Sequence, residues 1–306
     1  MPAFGFLAWW NPEVVKVCAV GHRGPRASCQ AIPPSDRVKC QLGLCAQSYD
    51  LAMRWTEVPA AAWRTPQELV QEGFRRGRVV MLNEAHDGLK RCVRTRRVGR
   101  QILPGAHAMG VRHLAMEALR PGDADAANAS RRPPDAADGY LAQSDMRALI
   151  QATLALGWTL WRYEVDFDQA PAALVEQGLM SQAFSNWREA EQARNLAAVL
   201  AALAASDRLL IWCGNGHASK VAGEDWSSMG HEFAALVAEG AFVIDQTVTV
   251  AFAGLEQRQA ALVAELAPIL DRYGGTAGLL CEEAGPLACW WPGVDALVMS
   301  TDNKMT

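Results

Sequence analysis

Apolar positions along this chain change rhythm from about Trp63 onward. Short runs rich in β-branched and aliphatic residues alternate with longer segments whose apolar residues recur at helical spacing, the pattern of a mostly parallel sheet covered by helices. The runs predict strands over Arg78–Asn83, Val111–Glu117, Trp158–Tyr163, Arg208–Cys213 and Ala241–Asp245, with Gly278–Cys281 and Ala296–Met299 as final strands. A basic stretch to about Gly110 reads as helical. Further helices are predicted over Ser144–Leu156, closed by Gly157, over the Ala/Leu/Glu-rich Asn186–Ala205, and around Glu256–Tyr273. The polar segment with Gly122, Asp123, Asp125 and Pro133-Pro134 is longer than a plain connection and reads as a lid or a disordered insertion. The expected architecture is an α/β fold: a mostly parallel central sheet, helices on both faces, and an active site at the C-terminal ends of the strands.

The opening of the chain lacks this rhythm. Residues 1–57 read as a poorly ordered N-terminal extension and 58–306 as a single α/β catalytic domain. Four of the eight cysteines (Cys18, Cys29, Cys40, Cys45) fall in the extension near His22, but neither a C-x2-C pair nor an H-x3-5-H partner accompanies them, so a loosely ordered leader outweighs a structural zinc site. Met53 is an alternative start. Cys92, Cys213, Cys281 and Cys289 read as reduced, mostly buried thiols. With 306 residues, half of them apolar, the chain has ample material for a core. A net charge of −4 gives no electrostatic reason to expect nucleic acid or an anionic membrane as partner. No run approaches the roughly 18 to 20 apolar residues that span a bilayer, and Phe4–Trp10 lacks the basic flank of a signal peptide. The expectation is a cytoplasmic enzyme with neither a nucleic-acid nor a membrane partner.

Candidate chemistry collects where open α/β sheets bind ligands, outside the carboxyl ends of the strands. The first predicted strand runs out into Asn83-Glu84-Ala85-His86-Asp87-Gly88 and the second ends at Glu117. The third ends Arg162-Tyr163-Glu164, and the fourth runs into Gly214-Asn215-Gly216-His217. A lone strand-end histidine is more often a loop hydrogen-bonding residue than a catalyst, and Asn215 between two glycines makes a good tight turn. Two histidines after separate strands, with a carboxylate after a third, make a constellation. Arg194 on the helix before the fourth strand is either a surface ion pair with Glu191 or a clamp for an anion or carbonyl. His107, His113 and His231 are weaker candidates, and Trp161, Trp187, Trp212 and Trp226 are either core or the walls of an apolar pocket.

The set Asn83-Glu84-Ala85-His86, Ala115-Met116-Glu117, Gln192-Ala193-Arg194-Asn195 and Gly214-Asn215-Gly216-His217 resembles the erythromycin esterase family. It is similar also to the wider clan of ChaN-like haem-binding lipoproteins and Tiki/TraB-type metalloproteases. The resemblance runs in order from about Trp63 to about Met299. This chain has Asn83 where the esterase pattern begins with glycine, and Gly-Asn-Gly-His where that pattern has Gly-His-Asn-x-His.

Together with the strand-end placement, the resemblance implies hydrolysis of a small-molecule ester or lactone. His86 would be the general base, Glu84 or Glu117 would orient its imidazole, and Arg194 and His217 would stabilise the oxyanion. Asp87, Tyr163 and Asn215 are the expected substrate-binding residues. No cofactor is required in this scheme. The metalloprotease branch implies instead a divalent metal on His86, Glu117 and His217, and the ChaN-like branch a haem or other tetrapyrrole with Tyr163 or His86 as axial ligand.

Overall fold

A computed structural model of the chain describes residues 55–223, 225–284 and 293–306. The expected extension lies outside the described residues except for Trp55–Glu57, and so do Cys18, His22, Cys29, Cys40, Cys45, Met53 and Cys289. At its described start the chain is already packed: Trp55 is buried and its backbone N–H donates to Glu265.

Among the described residues the central sheet has seven strands. In chain order its strands are β1 (Val79–Glu84), β4 (His113–Met116), β5 (Thr159–Arg162), β6 (Leu209–Gly214), β7 (Phe242–Asp245), β8 (Thr276–Leu280) and β9 (Ala296–Ser300). A separate hairpin, β2 (His86–Asp87) with β3 (Lys90–Arg91), follows β1 directly. The spatial order is β5-β4-β6-β1-β7-β9-β8, and every pairing is parallel except β8 against β9. β1 and β6 lie inside the sheet and are buried along their whole length, which is why they read as unbroken apolar runs rather than alternating ones.

Side-chain alternation divides the core. Val80, Leu82, Leu114, Leu210 and Trp212 pack on one face with helices α1 (Pro66–Arg76), α2 (Val93–Ala108) and α5 (Ser144–Ala155). Val79, Met81, Ala115, Leu209 and Ile211 pack on the other with α7 (Gln182–Ala202) and α8 (Met229–Leu236). Helix α9 (Glu256–Leu270) joins the outer strands β8 and β9 in a further cluster. The mostly parallel sheet with helices on both faces is thus what the chain forms.

Local signals account for the helix ends. Thr65 and Glu68 form a reciprocal capping box around Pro66 at the start of α1, and Gly157, with φ of +82°, follows the end of α5. The segment expected to be a lid or a disordered insertion is not structureless. It holds α3 (Asp123–Ser130), and α4 (Gly139–Ala142) follows it. Asn128 on α3 accepts from the Leu160 N–H at 2.8 Å and donates to the Leu160 carbonyl at 2.9 Å. That amide occupies hydrogen-bonding groups on the free edge of β5, a position open to unwanted strand pairing.

Candidate active site

Three adjacent strands, β4, β6 and β1, bring their carboxyl ends together. In register, Glu84 stands beside Gly214 and Met116 beside Trp212, so β1 and β6 end level and β4 ends two residues earlier. His86 leaves β1 in the short hairpin. Asn215 clamps it there: the His86 N–H donates to Asn215 Oδ1 at 3.1 Å, and Asn215 Nδ2 donates to the His86 carbonyl at 2.7 Å. Asn83 in turn donates to the Asn215 carbonyl at 2.7 Å and to Asp245 at 2.8 Å. Asn215 is therefore a positioning group rather than the expected substrate-binding residue.

The buried imidazole of His86 lies against Gly214, where a Cβ would come within 2.3 Å of Nε2. Its other nitrogen, Nδ1, is 3.0 Å from the Tyr140 hydroxyl, which also lies 3.0 Å from the Gly88 carbonyl. Burial lowers the His86 pKa, outweighing the nearby Glu84 and Glu117 charges that would raise it.

Glu84 does not orient this imidazole. Its carboxylate is gripped by the buried Arg96 at 2.6 and 2.7 Å and accepts from Trp212 Nε1 at 2.9 Å. Arg96 also reaches Asp145 at 3.0 Å and sits over the Tyr140 ring at 5.6 Å.

Glu117 receives the Gly214 N–H at 2.8 Å and Arg188 Nη2 at 2.7 Å. Burial would raise its pKa, but His217 and Arg188 prevail and hold it at about 2. His217 stands on the turn Asn215–Ala218, with Nδ1 2.5 Å from Glu189 and Nε2 facing Glu117 across 3.8 Å, too far for a hydrogen bond. Burial disfavours its charge, yet Glu189 and Glu117 prevail and push its pKa up to about 9. The two imidazoles are therefore driven apart, His86 towards neutral and His217 towards charged.

The arginine that meets Glu117 is Arg188, which pairs with both Glu164 and Glu117. Arg194, the expected clamp, instead points to solvent with 56% of its side chain exposed and pairs only with Glu191 on its own helix. The reason is angular. Phe184, Arg188, Gln192, Leu196 and Leu200 recur at i+4 along α7 and face inward, whereas Arg194 falls off that stripe. Glu164 is legible as a strand-end residue, whereas motif reading passes over Arg188, Glu189 and Gln192; this periodicity is the signal that finds Arg188 and Gln192.

Neither of the two other expected substrate-binding residues lines the cavity. Tyr163 is buried and donates to the Trp212 carbonyl at 3.0 Å. Asp87 pairs with Lys90 in the hairpin. Of the tryptophans, Trp212 lines the site and Trp226 lies edge-on to His217 with ring centroids 6.5 Å apart, whereas Trp161 packs on His113 and Trp187 on Phe184.

A cavity of about 30 Å³ opens among these groups, lined by Glu84, His86, Glu117, Tyr140, Leu141 and Trp212. That is room for about one water molecule. Of the two axial ligands expected for a tetrapyrrole, His86 lines this cavity and Tyr163 does not. The implied metal site does not fit the residues present. Among the described residues no group of three or more His, Cys, Asp or Glu side chains converges as ligands, and Glu117 is bonded to a guanidinium that a cation would have to displace.

No protein-family model matches the chain, and no curated protein matches it. Solved structures give weak likenesses. One described as bacterial protein toxins has a TM-score of 0.43 at 14% identity, covering 61% of this chain and 38% of its own. The type III effector HopBA1 gives 0.34 at 17% identity, over 58% of this chain and 81% of its own. RRSP, a MARTX toxin effector domain from Vibrio vulnificus CMCP6, gives 0.38 at 14% identity, over 55% and 34%. The chain thus spans well under half of the first of these structures. Likenesses at this level carry no argument about activity.

Proposed function

We propose that this protein is a hydrolase of small esters or lactones that activates water at a His/Glu site, in the manner the erythromycin-esterase resemblance implies. The observation that supports it is the pair of imidazoles flanking Glu117 at neighbouring strand ends, one buried towards neutrality and the other held as a cation. Environments that push two like groups apart assign them opposite roles.

His86 takes a proton from a water in the cavity as the hydroxide oxygen bonds to the carbonyl carbon. The carbonyl π pair moves onto oxygen, where the resemblance calls for the Nε2–H of the His217 imidazolium as donor. Collapse of the tetrahedral intermediate breaks the C–OR bond, and the leaving alkoxide takes back the proton from His86. Glu117 and Glu189 balance the His217 charge.

The reading is tested on a panel of simple esters and lactones with wild type, His86→Ala and His217→Ala. The expected result is hydrolysis by wild type, a loss of about 100- to 10,000-fold in the His86 variant and of about 100- to 1,000-fold in the His217 variant. Chelator treatment should leave the rate unchanged. Full activity in His86→Ala would sink the scheme, and chelator inactivation reversed by added metal would favour the metal-dependent version.

A further inference from the structure

Tyr140 reaches the site from α4, outside the motifs that carry the family resemblance. Its single hydroxyl proton faces two partners, the Gly88 carbonyl and His86 Nδ1, each at 3.0 Å. A carbonyl oxygen can only accept. Both contacts are hydrogen bonds only if the hydroxyl donates to Gly88 and accepts from a protonated Nδ1. The ring then has its lone pair on Nε2, the nitrogen pressed against Gly214 beside Glu117 and the cavity.

The packing around Tyr140 holds this geometry. The Arg96 guanidinium lies over its ring at 5.6 Å, and the ring meets that of His86 at a tilt of 56°. At the end of α4, Gln143 accepts from Arg96 and donates to the Leu89 carbonyl at 3.2 Å. Helix α4 is thereby stitched to the hairpin that carries His86 at Gly88 and Leu89, the two residues of its turn.

We propose that Tyr140 is a positioning residue that fixes His86 as the Nδ1–H tautomer, so that Nε2 is the base facing the cavity. Its catalytic consequence rests on the hydrolase reading; the tautomer does not. Without Tyr140 the buried ring would be free to place its proton on either nitrogen, and one of the two forms has no base where water sits.

The test is nitrogen NMR of the full chain labelled at histidine, with the His86 signals assigned by their loss in His86→Gln. In wild type the expected pattern is a pyrrole-type Nδ1 and a pyridine-type Nε2. In Tyr140→Phe, which keeps the ring and removes only the hydroxyl, a second, Nε2–H population should appear, and kcat on a panel ester should fall about tenfold or more with little change in KM. A wild-type ring protonated at Nε2 would overturn the proposal, as would a Tyr140→Phe spectrum identical to wild type. A tautomer shift in a protein that hydrolyses none of the panel would defeat the hydrolase reading and leave the positioning role standing.

Discussion

At Gly214 the space for a side chain is already taken. A Cβ there would fall 2.3 Å from His86 Nε2, so even a methyl group must displace the imidazole or the strand end. Gly214→Ala is therefore expected to cost about 1–3 kcal/mol as an overpacking change, and to lower kcat/KM far more than that loss of stability accounts for. Urea unfolding and ester hydrolysis measured on the same preparation separate the two. A variant with wild-type rate would show that the imidazole does not sit where the structure has it. The same residue illustrates what single motifs conceal. Gly214-Asn215-Gly216-His217 reads as a turn carrying a histidine, yet its first glycine makes room for His86 and its asparagine holds the His86 backbone.

On α7 two arginines six positions apart have opposite meanings. Arg188 lies between Glu164 and Glu117, and its removal strands two buried carboxylates; Arg188→Met should cost about 3–5 kcal/mol. Arg194→Ala should cost under about 0.5 kcal/mol, the scale of an exposed ion pair. Thermal or chemical unfolding of the two variants decides it, and equal costs would contradict the packing of α7. Strands were legible because interior strands such as β1 and β6 are apolar throughout, and their predicted ends fall close to the observed ones. Helix α1 escaped that reading although Thr65-Pro66-Gln67-Glu68 carries a capping signature, because its short inward stripe is interrupted by Gly73. The hairpin could not be read at all: each of its strands is two residues long and formed by pairing alone. Likewise α3 sits in a polar, Ala-rich stretch whose inward positions are only Ala124 and Ala127, and Asn128 and Arg131 bond it to the β5 edge and to the residues before that strand.

For the molecule as a whole, the site places opposing limits on pH stability. The His217 pKa rises from 6.5 unfolded to about 9 folded, so its stabilisation is complete below pH 6.5 and disappears as the pH climbs to about 9. Glu117, lowered from 4.5 to about 2, stabilises above pH 4.5 and ceases to do so as the pH falls to about 2. His86, whose pKa burial lowers, opposes folding progressively as the pH drops below 6.5. Between pH 6.5 and 9, wild type should lose about 2 kcal/mol more than His217→Gln, given about 1.4 kcal/mol per pKa unit and a discount for the 16% of the side chain left in solvent. Parallel urea curves for the two proteins across that range would refute the assignment. The two bonds from Asn215 to His86 have a different kind of consequence. An amide that both accepts from and donates to one residue's backbone imitates a neighbouring strand, so the sheet continues, in all but chain connectivity, past its last backbone pairing. The imidazole is thereby part of a rigid template whose ordering entropy is met during folding; under the proposed function, an arriving substrate would find it assembled.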